Sequence, residues 1–209
     1  MKYVDLSINP RNYEEWIKII PMLKKFNFEI IGMDSNFIND DVLKAAKENS
    51  IKVIKRKYFK ISNKDELNNI LKSSNNSFLV VEPENNYLLN IISQTKTINA
   101  IRINLEKNIK INKTIKNLFN INKNGVIEIS LKQLLNNDIF LWREMNNLLK
   151  NIIKFGLRFY VVSDASNIFE LWHPFHVKSL FEILGVDNTY ATLSMTTYPY
   201  YAISPILNK

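Results

Sequence analysis

Apolar positions along this chain alternate between a spacing of two and a spacing of three to four, and the alternation continues almost from end to end. Tyr3 to Ile8 is a short β-rich run and predicts a strand; Tyr13 to Phe26, with Trp16, Ile19, Ile20 and Leu23 on one face, predicts a helix. Phe28 to Met33 predicts a second strand, and Asp40 to Asn49 a helix that Asn39 or Asp40 would cap. A strand at Ile51 to Lys57, a helix at Lys64 to Ser74, a strand at Phe78 to Val81 and a helix at Asn85 to Ser93 follow. The pattern goes on with a strand at Ile98 to Ile103, a weaker helix at Ile111 to Phe119, and a strand at Val126 to Ile129. A long helix at Asp138 to Phe155, a strand at Phe159 to Val162, and helices at Pro174 to Leu184 and Asn188 to Met195 complete it.

About seven strands, each followed by a helix over most of the chain, imply βαβ units with right-handed crossovers and a parallel sheet. Two arrangements fit: a doubly wound open sheet, or a slightly short TIM-like barrel. The chain has neither G-x-G-x-x-G nor G-x-x-x-x-G-K-[ST], the phosphate-binding signatures of open sheets. Several strands also place a charge inside an apolar run (Asp5, Arg102, Glu128), as a barrel with a functional mouth would. The expected fold class is therefore α/β, TIM-barrel-like, with about seven parallel strands and surrounding helices. With no Pro/Gly/Ser-rich linker and no internal repeat, a single domain over residues 1–209 is expected.

Composition narrows the chemistry. Hydrophobic residues make up 46% of the chain, and no apolar run reaches the ~18 residues of a membrane span. The N-terminus enters a strand directly, without a signal-like segment, so a cytoplasmic protein is expected. The absence of cysteine excludes disulfides, thiolate metal sites and cysteine nucleophiles. Asn, Ile and Lys are abundant while Arg (5) and Gly (4) are scarce, a bias expected of an A+T-rich genome. A net charge of +8 points to a polyanionic partner.

That charge is concentrated. Between Glu48 and Asp65 there is no acid, while Lys52, Lys55, Arg56, Lys57, Lys60 and Lys64 are interleaved with Tyr58 and Phe59. A second acid-free window carries Lys107, Lys110, Lys113, Lys116 and Lys123. Such windows supply salt-dependent affinity for phosphates without reading base sequence, although any single lysine is more simply a solvated surface charge.

Catalytic signatures are sparse. The only histidines are His173 and His176, in L-W-H-P-F-H-V, with no third metal ligand nearby and a Pro174 typical of a first helical turn. There is no G-x-S-x-G elbow, and neither Ser130 nor Ser163 has a base near it in sequence. Asp5, Glu82 and Glu128 stand in or at the ends of strands; facing Arg102 or Arg158, such carboxylates are structural more often than catalytic.

Three stretches carry a resemblance: G-V-I-E-I-S-L-K-Q-L-L at 125–135, W-R-E-M-N-N-L-L-K-N-I-I-K-F-G-L at 142–157, and V-V-S-D-A-S-N-I-F-E-L-W-H-P-F-H-V-K-S-L-F-E-I-L-G at 161–185. Together with Y-V-D-L-S-I at the N-terminus they resemble the ribonuclease P protein component 3 family of archaeal and eukaryotic enzymes. The order of elements is similar over essentially the whole chain. The resemblance implies a TIM-barrel-like relative of the polymerase and histidinol phosphatase hydrolases that lacks their metal ligands, Ser7 standing where those enzymes place a histidine. It also implies a non-catalytic subunit of an endoribonuclease that removes the 5′ leader of precursor tRNA. Catalysis would then rest with the ribonuclease P RNA and the Mg²⁺ it holds, with no cofactor bound by this chain and no membrane involved. The protein would pair with component 2 and dock on the RNA.

The expected backbone contacts are Lys55, Arg56, Lys57, Lys60, Arg102, Arg158 and His173, the arginines because their planar fork matches phosphate. Two positions depart from the family. A small-residue turn such as S-S-G-A becomes Ser163-Asp164-Ala165, and the basic residue before the proline becomes His173. The alternatives are a metal-dependent phosphoesterase on the same barrel and a general RNA-binding scaffold.

Overall fold

A computed structural model describes residues 1–73, 77–122, 125–136 and 138–207. Seven strands, β1 (Tyr3–Asp5), β2 (Phe28–Asp34), β3 (Lys52–Ile61), β4 (Phe78–Pro83), β5 (Ala100–Arg102), β6 (Ile127–Ser130) and β7 (Phe159–Val162), form one sheet in sequence order. Every pairing is parallel. Helices α1 (Tyr13–Lys25), α2 (Asp40–Glu48), α3 (Lys64–Ser73), α4 (Asn86–Ser93), α5 (Lys113–Asn122) and α6 (Ile139–Lys154) supply the crossovers. Helices α7 (Pro174–Ile183), α8 (Asn188–Met195) and α9 (Thr197–Leu207) follow β7. The expected α/β barrel is the observed one, nearly closed. Ser74, the expected end of the third helix, and Lys123 of the second basic window lie outside the described residues.

The helices start where local chemistry permits. Asn12 accepts the Glu15 N–H at 2.9 Å, Asn39 that of Val42 at 2.9 Å, and Asn85 that of Leu88 at 3.0 Å. Each asparagine thereby satisfies one of the donors that a first turn leaves without a partner. Acids at 14, 15, 40 and 41 and lysines at 24, 25 and 47 complement the helix dipoles.

The first strand is shorter than the sequence predicts. A register shift between Tyr3 and Val4 lifts β1, and its ladder stops at Asp5. Beyond it, Ile8 N–H donates to the Gly32 carbonyl at 2.9 Å, and Asn9 N–H to the Ala165 carbonyl at 2.9 Å. The first and last strands therefore meet only at their C-terminal ends. Gly32 permits this approach: a Cβ there would lie 2.2 Å from the Leu6 carbonyl oxygen.

The barrel interior has two levels. The N-terminal level is apolar, built from Val4, Ile30, Ile54, Phe78, Val80, Ala100, Val126 and Tyr160. Ala202 and Ile203 of α9 join this cluster, with Tyr198 and Tyr201 packed against it. Helix α9 thus closes the N-terminal end of the barrel, an element the sequence analysis does not predict. Pro199 falls in its first turn, where a missing N–H costs little; Pro199, Ala202 and Ile203 form the buried face, but the tyrosines and the second proline on the other faces leave no polar side to mark a helical period in the sequence. The C-terminal level is polar, and it forms the site.

Candidate functional site

Strand β3 shows how the polar level arises. Ile54 joins the interior cluster and Val53 packs on the outer one, so the even positions Arg56, Tyr58 and Lys60 continue the inward face while Lys55 and Lys57 point away from it. Arg56 is 2% exposed. Its Nη1 and Nη2 donate to the two oxygens of Glu128 at 2.5 and 2.6 Å, and Nη1 also reaches the Leu6 carbonyl at 2.7 Å. That carbonyl lies just past the end of the β1 ladder, so the guanidinium supplies the partner the backbone would otherwise lack.

Glu128, fully buried on β6, is the hub. It also accepts Arg102 Nε at 2.6 Å and the Tyr160 hydroxyl at 2.7 Å. Arg102, 7% exposed on β5, turns its other edge to Asp164 at 2.7 and 2.8 Å and lies over the Tyr58 ring, 4.5 Å from its centroid. Asp164 further accepts the Ser7 hydroxyl, and Glu82 accepts the Tyr58 hydroxyl. Two guanidinium groups thus face two carboxylates.

The proton affinities follow from these contacts. Burial alone would raise Glu128, but Arg102 and Arg56 outweigh it and hold its carboxyl below the usual range. Asp164 is likewise lowered, with burial opposing and Arg102 prevailing. Arg102 is raised well above its ordinary value: burial opposes this, and Glu128 and Asp164 overcome it. Burial and Glu128 raise Tyr160. Asp5 differs: among the described residues it forms no ion pair, and burial dominates. It closes the seam between β1 and β7 by accepting the Ser163 N–H at 3.1 Å and the Ser7 N–H at 3.1 Å, and burial pushes its carboxyl up to about 7.

Above this network the mouth opens into a cavity of about 660 Å³ at the C-terminal end of the strands. Its lining combines the apolar Ile8, Pro10, Met33 and Phe37 with the polar Arg102, Tyr58, Asp164 and Lys132. Lys132 donates to Glu170 at 2.7 Å, and Lys60 lies 3.7 Å from Glu82. Among the described residues no group of three His, Asp or Glu side chains is arranged to hold a metal ion.

The seven residues expected to contact RNA do not share one surface. Arg56 and Arg102 meet inside the barrel, where their charges are committed to carboxylates, because the inward face of a strand points into the lumen however basic the local sequence is. Lys60 stands on the mouth rim. Lys55, exposed, and Lys57, half-buried, face outward from β3. Arg158 lies at the other end of the barrel, exposed, with its guanidinium 3.9 Å from the Tyr201 ring of α9. His173 caps α7, its Nδ1 accepting the Phe175 N–H at 3.1 Å, and its ring meets Phe26 edge-on at 4.5 Å. Burial and the neighbouring His176 lower its proton affinity. Tyr160 and Lys132 carry no sequence signal of a site; Tyr58 stands in the basic window, and the even-numbered alternation along β3 is the signal that turns it inward. Asp164, which stands in the turn that departs from the family's small-residue pattern, pairs with Arg102. No helix among the described residues is long and apolar enough to cross a membrane.

Residues 2–206 match the family described as RNase P subunit p30. Over 71 residues the chain is 34% identical to ribonuclease P protein component 3 of Aeropyrum pernix; the aligned stretch spans about a third of each protein, 33% of this chain and 34% of the relative. In three dimensions the chain is similar to one in a cryo-EM structure of archaeal ribonuclease P with mature tRNA, with a TM-score of 0.79, 19% identity, and coverage of 97% of this chain and 90% of that one. The crystal structure of an uncharacterized protein matches with a TM-score of 0.60 and 8% identity, covering 99% of this chain and 74% of the other. At such identities both structures speak for the barrel alone, whereas the family match runs almost from end to end: this chain belongs to the RNase P subunit p30 family.

Proposed function

We propose that this chain is a non-catalytic protein subunit of ribonuclease P. In this reading it binds the ribonuclease P RNA together with the component 2 subunit, in the cytoplasm, and supports removal of the 5′ leader from precursor tRNA. The phosphodiester is hydrolysed at metal ions held by the RNA, and the protein stabilises the RNA fold that retains them.

The family match over residues 2–206 carries the proposal. The mouth supports it chemically. Glu128 and Asp164 are engaged by guanidinium groups and hydroxyls, and both are held in their ionised form by those partners, so neither is poised to shuttle a proton near neutral pH. The RNA contacts fall instead to the outward cations Lys55 and Lys57, to Lys60 on the rim, and to Arg158 and His173. Arg56 and Arg102 serve from within, fixing the strands that carry those cations.

The test is filter binding of the full chain to ribonuclease P RNA across a salt series. Binding that weakens with salt, with a slope reduced when Lys55 and Lys57 are changed to Gln, supports the reading. Salt-insensitive binding, or none with component 2 present, overturns it.

A further inference from the structure

We infer that the barrel mouth is a well for one unpaired nucleobase of an RNA strand. The inference rests on the RNA-subunit reading and deepens it.

The cavity, about 660 Å³, falls within the range of small-ligand sites, roughly 300–1,000 Å³. Its charge pairing selects the occupant. Arg56 and Arg102 face Glu128 and Asp164, so a phosphate entering the mouth would have to displace Asp164 from two contacts at 2.7 and 2.8 Å. A flat, neutral group with apolar faces and polar edges meets no such competition. The lining offers Met33 and the half-buried ring of Phe37 as apolar surface, together with the Arg102 guanidinium lying over Tyr58 and Asn9 donating towards Ser7 and Asp164. Unstacked bases are recognised in this manner, by an aromatic or guanidinium plane on the face and hydrogen bonds at the edge.

Two further features agree. Asp164 sits at φ +54, in the left-handed region that aspartate enters more readily than most residues, with its carboxylate against Arg102 and Ser7 at the mouth. Lys132 lines the well, Lys60 stands beside Glu82 and the exposed Arg11 follows Pro10 in the chain, which supplies cations for the sugar-phosphate of an inserted nucleotide.

The test uses the full chain and a short single-stranded oligoribonucleotide carrying one fluorescent aminopurine. Insertion of that base changes its emission. Phe37→Leu keeps apolar volume and removes the aromatic face, and is expected to weaken binding about tenfold and diminish the emission change. Its urea midpoint is measured alongside, so that lost folding is not mistaken for lost stacking. Wild-type emission change and affinity in Phe37→Leu, or binding with no change in emission, overturns the well and leaves the mouth to a side chain of a partner protein. Ribonuclease P RNA is titrated in parallel. If it binds normally while the well fails, the subunit reading stands; if it does not bind at all, both fall.

Discussion

Replacing Glu128 with Gln removes the single negative charge shared by two buried guanidinium groups. In the native barrel Glu128 has no exposed surface and accepts from Arg56 twice, from Arg102 and from Tyr160, all within 2.7 Å. Glutamine keeps the shape but offers one acceptor oxygen, and its amide donors face guanidinium donors. Arg56 then has no carboxylate and Arg102 keeps only Asp164. Breaking a buried ion pair from one side costs about 3–5 kcal/mol, because the remaining charge stays desolvated. Against a total stability of roughly 5–15 kcal/mol, that is a large fraction. Urea denaturation is expected to show the loss as a lower midpoint at unchanged slope, and thermal melting as a fall of about 6–20 °C for a chain of this size. Arg56→Met combined with Glu128→Leu is expected to recover part of the loss, since the guanidinium that remains, Arg102, still pairs with Asp164. A loss under about 1 kcal/mol in Glu128→Gln would refute the reasoning: the two arginines would then be hydrated, and their assignment to the barrel wall rather than to RNA would fail.

Three other outcomes are expected. Asp5, at about 7 in the fold against an ordinary 3.8, gives stability that is full below about pH 4 and is lost as pH rises through 7, roughly 4 kcal/mol in all; Asp5→Asn should abolish the part of that slope between pH 5 and 8 in urea midpoints, and an unchanged slope would contradict the assignment. Ile203→Ala, in a fully buried side chain of α9, should cost about 2–5 kcal/mol by opening the apolar end of the barrel, and a loss below 1 kcal/mol would mean that α9 does not seal it. Changing both Lys55 and Lys57 to Gln should lower the log–log salt slope of RNA binding by about 1.4–1.8, whereas an unchanged slope would move the RNA to another face.

The barrel was legible because its signals are local. Each strand is a short apolar run, each crossover helix has an apolar stripe, and three asparagines mark helix starts. Helix α9 was not legible: Pro199, Ala202 and Ile203 share its buried face, but the prolines at 199 and 205 disfavour a helix and the tyrosines at 198, 200 and 201 leave no polar face to set that stripe off. The site was half legible. Asp5, Arg102 and Glu128 stood out as charges inside strands, but their partners lie far off in sequence, Glu128 being 72 residues from Arg56 and Asp164 being 62 from Arg102. Counting charge within a window merged Lys55, Arg56 and Lys57 into one basic patch, whereas the period of two along β3 turns the middle one into the lumen.

The central claim is tested most directly by cleavage of precursor tRNA at modest Mg²⁺ with ribonuclease P RNA, adding component 2 alone, this chain alone, or both. The account predicts correct 5′ cleavage with the pair, well above the RNA alone, and no cleavage by this chain without the RNA. A pair that adds nothing to the RNA, or phosphodiester hydrolysis by the chain unaided, would contradict it.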